Sequence, residues 1–122
     1  MEDERFSIAK RLKSFKYAFN GLKLLIVKEH NARIHLLATL IALGLGVYFN
    51  LCIIEWIAIV SVIAGVFIAE IFNSAIEKLA DVVSPEVNPK IKVIKDLSAA
   101  AVLIAAILAL VVGALIFIPK IF

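Results

Sequence analysis

Apolar residues dominate the chain in three long runs, separated by short polar breaks. The first goes from Ile34 to about Phe49 and can be extended back through "ARIHLL". The second goes from about Leu51 to Ile68 and continues with helical spacing to Asp81, and the third, Leu97 to Ile118, is uninterrupted. A helix needs roughly 20 apolar residues to cross a bilayer, so the runs predict three spans, over about 32–49, 53–81 and 95–118. Ahead of them the period changes. Ile8, Leu12, Phe15, Phe19, Leu22 and Ile26 recur at steps of four and three, which is one face of a helix, while Lys10, Lys13, Lys16, Asn20 and Lys23 cover much of the rest. A basic amphipathic helix of this kind lies in the membrane interface, so a surface helix is predicted over about 6–28. The fold class is all-α integral membrane, and the 122 residues allow one domain.

Composition agrees with the pattern. Hydrophobic residues make up 63% of the chain, well above the roughly 45–50% of soluble domains. The opening "MEDERFSIAKRLK" lacks the apolar core of a signal peptide. Cys52 is the only cysteine, which excludes an intrachain disulfide and any Cys/His metal spacing.

Charge gives direction. Residues 1–33 hold eight of the thirteen Lys and Arg, and Lys78 to Lys95 holds four more, while the 50–56 turn has none. Because basic residues stay on the cytoplasmic side, the N-terminus and the Lys78–Lys95 loop are predicted inside, with the 50–56 turn and the C-terminus outside.

Against this background one stretch stands out. "AEIFNSAIEKLAD", residues 69–81, continues the second span yet carries Glu70, Asn73, Ser74, Glu77 and Asp81 within an arc of roughly 100° on one helix face. A carboxylate at membrane depth needs a partner, a wet cavity or a function. "KVIKDLSAAA" brings Lys95 and Asp96 to the start of the third span, and "VKEHNARIH" brings Glu29, Asn31 and Arg33 to the start of the first. Individual salt bridges, such as Glu77 with Lys95 and Glu29 with Arg33, would account for any one pair. The whole group has a surplus of carboxylates, which repel one another unless a cation sits between them. Oxygen ligands suit Mg²⁺, which takes one or two carboxylates and completes its shell with water and phosphates. A further carboxylate could then serve as a base, which points to phosphoryl transfer at a membrane surface. No phosphate-binding glycine loop is present. His30 and His35 do not share a helix face, and ordinary interfacial polar roles are expected for both. Ala101, Ala105, Ala109 and Gly113 form a small-residue stripe suited to association between chains. The rival classes are an ion- or proton-conducting subunit and a non-catalytic assembly subunit. The first would require polar residues at mid-depth, and the stripe lies only at the inner end.

"AEIFNSAIEKLAD" followed by "KDLSAAAVLIAAI" resembles the signature of the prokaryotic diacylglycerol kinase family of membrane lipid kinases, which places an E-x-x-N-S/T-A-I-E stripe on its second span and a K-D pair at its third. The resemblance runs from about Phe6 onward. It implies a homotrimer with sites shared between subunits, in the bacterial inner membrane, with the active site facing the cytoplasm. It also implies Mg²⁺ and ATP, with Glu70 as base, Glu29 and Glu77 on the metal, and Asn73, Lys95 and Asp96 orienting nucleotide and base. Lys10, Tyr17, Glu86 and Asn88 would lie at the nucleotide's edge. Ser14, Phe19, Asn31, Arg33, Trp56 and Ala99 would lie on the lipid side. No nucleic-acid partner is expected. The branch that uses diacylglycerol has a serine where this chain has Ala99, glutamine at Ile34 and arginine at Lys10. "NARIHLLAT" and "SPEVNPKIKVIKD" are more similar to the undecaprenol kinase branch, which serves cell-wall carrier-lipid recycling. The acceptor expected is therefore undecaprenol, ahead of diacylglycerol.

Overall fold

A computed structural model describes residues 7–122; Phe6, the predicted start of the surface helix, and the opening "MEDER" lie outside the described residues. Four helices follow in order: α1 (Ile8–Lys28), α2 (His30–Tyr48), α3 (Ile53–Val83) and α4 (Pro89–Ile121). The last three are long and apolar enough to cross a membrane.

Local chemistry explains each boundary. The Ser7 side chain accepts from the Lys10 backbone N–H and starts α1. One extended residue, Glu29, separates α1 from α2. Arg33 reaches back across it, donating from Nη2 to the Val27 carbonyl at 3.0 Å, so a cation satisfies the C-terminal end of α1. At the far end of α2, Asn50 takes φ 52°, a left-handed conformation that asparagine tolerates. Asn50 N–H bonds to Val47 O and Leu51 N–H to Gly46 O, which closes α2 with a Schellman motif. The side chain of Asn88 caps α4 by accepting from Lys90 N–H at 2.9 Å, and Pro89 occupies the first helical position. That cap starts α4 at Pro89, ahead of the third span predicted from about 95. The added turns project Lys90, Lys92 and Lys95 beyond the hydrocarbon stretch.

The antiparallel α3 and α4 pack most extensively, α2 joins α3 over a smaller surface, and α1 touches the inner halves of α2 and α3. The buried cluster Leu51, Ile59 and Phe117 sits at the end of the bundle that holds the 49–52 turn, the predicted outer end, with Trp56 and Phe49 against it. Trp56 lies over Gly46 so closely that a Cβ there would meet its ring at 2.6 Å. Elsewhere the helices are apolar and exposed, as lipid-facing or copy-facing surfaces are: Leu103, Ile104 and Leu110 on α4, and Leu12, Phe15 and Phe19 on α1. The small-residue stripe on α4 is half-buried at Ala105, Ala109 and Gly113, yet nothing lies within 4 Å of a Cβ built at Gly113. No close backbone approach is made there within the chain.

Candidate active site at the inner end

Among the described residues Glu70 is the only charged side chain that the bundle buries, at 2% exposure, with Ser74 and Ser98 the other buried polar residues. Helical spacing carries the α3 stripe inward, and α2 and α4 close over its first turns. The Nε2 of His35, on α2, lies 3.1 Å from Glu70 Oε1. The ring is off the line of a hydrogen bond, so Oε1 has no hydrogen-bond partner. From α4, Ser98 Oγ donates to Asn73 Oδ1 at 2.7 Å, fixing the Asn73 amide one turn from Glu70. Ser74 Oγ is buried without a partner. Unmatched buried polar atoms are uncommon, and two on one stripe call for an explanation.

Further inward the charges pair differently from the simple expectation. Lys95 Nζ bonds Asp81 Oδ1 at 2.6 Å, not Glu77. Glu29 Oε1 meets Lys78 Nζ at 3.2 Å, not Arg33, whose guanidinium is on the Val27 carbonyl. Lys95 still pairs with α3, one turn beyond Glu77, whereas Glu29 reaches α3 because Arg33 spends its guanidinium on the backbone. Lys92 pairs with Asp96 along α4 at 2.6 Å.

The structure thus brings together Glu70, Asn73 and Ser98, and anchors Glu29 at the level of Lys78, next to Glu77. Ala99 is exposed on the turn after Ser98, and Asn31 and Arg33 are exposed on the first turn of α2. Other predicted residues stay apart. Lys10 is 19 residues from Glu29 on α1, about 28 Å along the axis, and Ser14, Tyr17 and Phe19 share its exposed half. Trp56 is 14 residues from Glu70 on α3, about 21 Å, in the outer core. Asn88 spends its side-chain oxygen on the α4 cap, and Glu86 stands in the same loop.

No group of three or more His, Cys, Asp or Glu side chains is placed to hold a metal among the described residues. The donors expected from the sequence are two carboxylates, Glu29 in the junction between α1 and α2, where it pairs with Lys78, and Glu77 on α3. A pair of hard oxygen ligands fits Mg²⁺, which leaves most of its shell to water and phosphate, and does not fit zinc.

Two apolar clefts flank the stripe. One, of about 470 Å³ between α1 and α3, is lined by Gly21, Leu25 and Ile71 and reaches Ser74 and Lys78. The other, of about 350 Å³ between α2, α3 and α4, runs from His35 past Ala38 and Thr39 to Ile59 and Ala106. Sequence reading missed His35 as a partner of Glu70. The two are 35 residues apart, and only the packing of α2 on α3 makes them neighbours.

Residues 16–117 match the family described as "Prokaryotic diacylglycerol kinase". The chain is 35% identical to "Undecaprenol kinase" of Bacillus subtilis (strain 168) over 98% of its own length and 97% of that protein's. It is 32% identical to "Diacylglycerol kinase" of Escherichia coli (strain K12) over 82% of each. A third relative, "Diacylglycerol kinase" of Synechocystis sp., is 31% identical over 88% of this chain and 62% of its own.

Proposed function

This chain belongs to the prokaryotic diacylglycerol kinase family and is a membrane lipid kinase, and from that premise we propose that it transfers the γ-phosphoryl group of ATP to the hydroxyl of undecaprenol. The observation that carries the reading is the buried Glu70, an acidic group closed between apolar helices with an unsatisfied oxygen. Such a group fits a general base for a lipid hydroxyl arriving from the bilayer, since both adjacent clefts admit an apolar chain.

Phosphoryl transfer demands positioning and charge neutralisation more than covalent chemistry. Glu29 and Glu77 would hold Mg²⁺, which when bound neutralises the nucleotide's phosphates. Asn73, fixed by Ser98, orients the base or the nucleotide from its amide. Lys95 and Asp96, at the start of α4, face the nucleotide's side. Lys10, Tyr17, Glu86 and Asn88 form its edge, and Ser14, Phe19, Asn31, Arg33 and Ala99 border the acceptor.

The same reading includes a homotrimer in the bacterial inner membrane, with the site facing the cytoplasm. Its support is that Lys10 and Tyr17 lie on the exposed half of α1, while broad apolar faces lie open. A neighbouring subunit's surface helix would bring those residues to the stripe. Undecaprenol is favoured by the similarity to the Bacillus subtilis undecaprenol kinase across nearly the whole of both chains, and by the absence of hydrogen-bonding groups at Ile34 and Ala99. The test is purified protein in detergent with Mg-ATP, offered undecaprenol and diacylglycerol in parallel. A higher kcat/KM for undecaprenol is expected, and phosphorylation of neither lipid would overturn the proposal.

A further inference from the structure

A general base must pass its proton on before the next turnover. Glu70 is closed off between apolar helices, so water has little access to it. The group set beside it is less enclosed. His35 is 22% exposed, its Nε2 is 3.1 Å from Glu70 Oε1, and its ring also lines the cleft between α2, α3 and α4. Its backbone is held in place by Thr39 Oγ1, which donates to the His35 carbonyl at 2.7 Å. Imidazole is the side chain whose protonation changes near neutral pH, and it can accept at one nitrogen while releasing from the other.

We propose that His35 is the positioning residue of the Glu70 base, steadying the ionised carboxylate and receiving the acceptor's proton from it after transfer. The inference rests on Glu70 being the base. As the acceptor oxygen bonds to the γ-phosphorus, the bond from that phosphorus to the β–γ bridging oxygen breaks and ADP leaves. The acceptor O–H bond breaks in the same event and its proton goes to Glu70. The His35 ring then turns into line with Oε1, and the proton moves from Glu70 to Nε2 of neutral His35. The imidazolium gives up a proton to water, the neutral tautomer with Nε2 free being restored by exchange before the next turnover. One proton is set free per phosphoryl group moved, and no redox partner is needed.

On the same side of the bundle as His35, the charged and titratable groups are Glu70, Glu77, Lys78 and Asp81 on α3, Lys90, Lys92, Lys95 and Asp96 on α4, and Glu29, His30 and Arg33 at the start of α2. Of the carboxylates among the described residues, only Glu70 lies within ion-pairing distance of it. Glu70 and His35 must each be unprotonated to accept the proton in turn, so the acid side of kcat should report two protons in wild type and one in a His35 variant.

The experiment measures kcat against pH for wild type, His35→Ala and His35→Gln, full-length in detergent with Mg-ATP and undecaprenol, and Glu70→Gln alongside. Both His35 variants should lose roughly 10- to 100-fold in kcat, less than loss of the base itself, with KM for Mg-ATP and for lipid unchanged. Their acid limb should fall with one proton where wild type falls with two, and added imidazole should restore part of the rate to His35→Ala. Full activity in His35→Gln, or a wild-type pH profile in either variant, would reduce His35 to a packing or hydrogen-bonding group and overturn the inference. An inactive Glu70→Gln beside a normal His35→Ala would remove only His35, whereas an active Glu70→Gln would remove the base reading itself.

Discussion

The two ends of the bundle are built from the same three helices and satisfy their polar groups in opposite ways. At the outer end Glu55 accepts from Cys52 N–H at 3.0 Å and pairs with Lys120 at 3.0 Å, beside the packed Leu51, Ile59 and Phe117. Glu55 there both closes a helix end and joins α3 to α4. At the inner end Glu70 and Ser74 are buried with unmatched oxygens, and the charges around them are spread over three helices. The outer end is built for stability. The inner end departs from local satisfaction where chemistry is proposed, which is where folded proteins tend to tolerate such departures.

The sharpest test of this contrast is Glu70→Gln. Glutamine keeps the length and helix propensity of glutamate and can still meet His35, so folding and nucleotide binding should survive. Phosphoryl transfer should fall by about 10²–10⁴-fold, the usual cost of removing a general base. Radiolabelled transfer to lipid, set against thermal unfolding of the same samples, separates the two. An active variant would shift suspicion to Asp96, whose carboxylate pairs only with Lys92 on its own helix.

Next in size is the metal pair. Glu29→Gln and Glu77→Gln should each raise the Mg²⁺ concentration for half-maximal activity by about tenfold, a loss of about 1.4 kcal/mol of metal binding. Excess Mg²⁺ should recover much of the rate, with lipid KM unchanged. The Glu29–Lys78 contact is partly exposed, so its loss should hardly alter stability. Normal Mg²⁺ dependence in both variants would leave these carboxylates as helix ties.

How far the sequence reveals this arrangement depends on the range of the signal. Apolar runs and the four-three spacing of Ile8 to Ile26 are local, and they predict all four helices. The Asn88-Pro89 start of α4 is equally local, but it lies in polar sequence outside the hydrophobic window, so the helix extends beyond the predicted span. Glu70, Asn73 and Glu77 can be read because they share one helix face. Which partner each charge takes cannot be read that way. Asp81 with Lys95, Glu29 with Lys78 and His35 with Glu70 all join different helices, and their pairing is decided by interhelical register. Sequence spacing along one element carries no record of that register.

The outer end has its own test, with the effects reversed. Gly46→Ala puts a Cβ 2.6 Å from a Trp56 ring atom, so the indole or the α2 backbone must shift. Overpacking of this kind costs typically about 1–3 kcal/mol. A lower unfolding midpoint in detergent is expected, with kcat per folded molecule unchanged, because the strain is about 20 Å from Glu70 along α3. A large fall in kcat with intact stability would show that the two ends are coupled and the contrast between them too simple.

The smallest expected effect concerns which lipid the inner end accepts. Diacylglycerol presents its hydroxyl beside two ester groups, whereas a polyprenol offers one hydroxyl on an apolar chain. A site that hydrogen-bonds a polar acceptor discriminates strongly, and a site without such groups cannot. Here Ser98 already donates to Asn73, and neither Ala99 nor Ile34 can donate from a side chain. Ala99→Ser adds one hydroxyl on the exposed turn next to Ser98 without disturbing its bond. A net hydrogen bond is worth about 1 kcal/mol, roughly fivefold in kcat/KM. The variant should therefore gain about that much toward diacylglycerol in the parallel acceptor assay and change little toward undecaprenol. If wild type already prefers diacylglycerol, the branch assignment fails while the kinase remains. If Ala99→Ser raises both acceptors alike, the added hydroxyl is acting on the nucleotide or on Asn73, and position 99 is not where the acceptors are told apart.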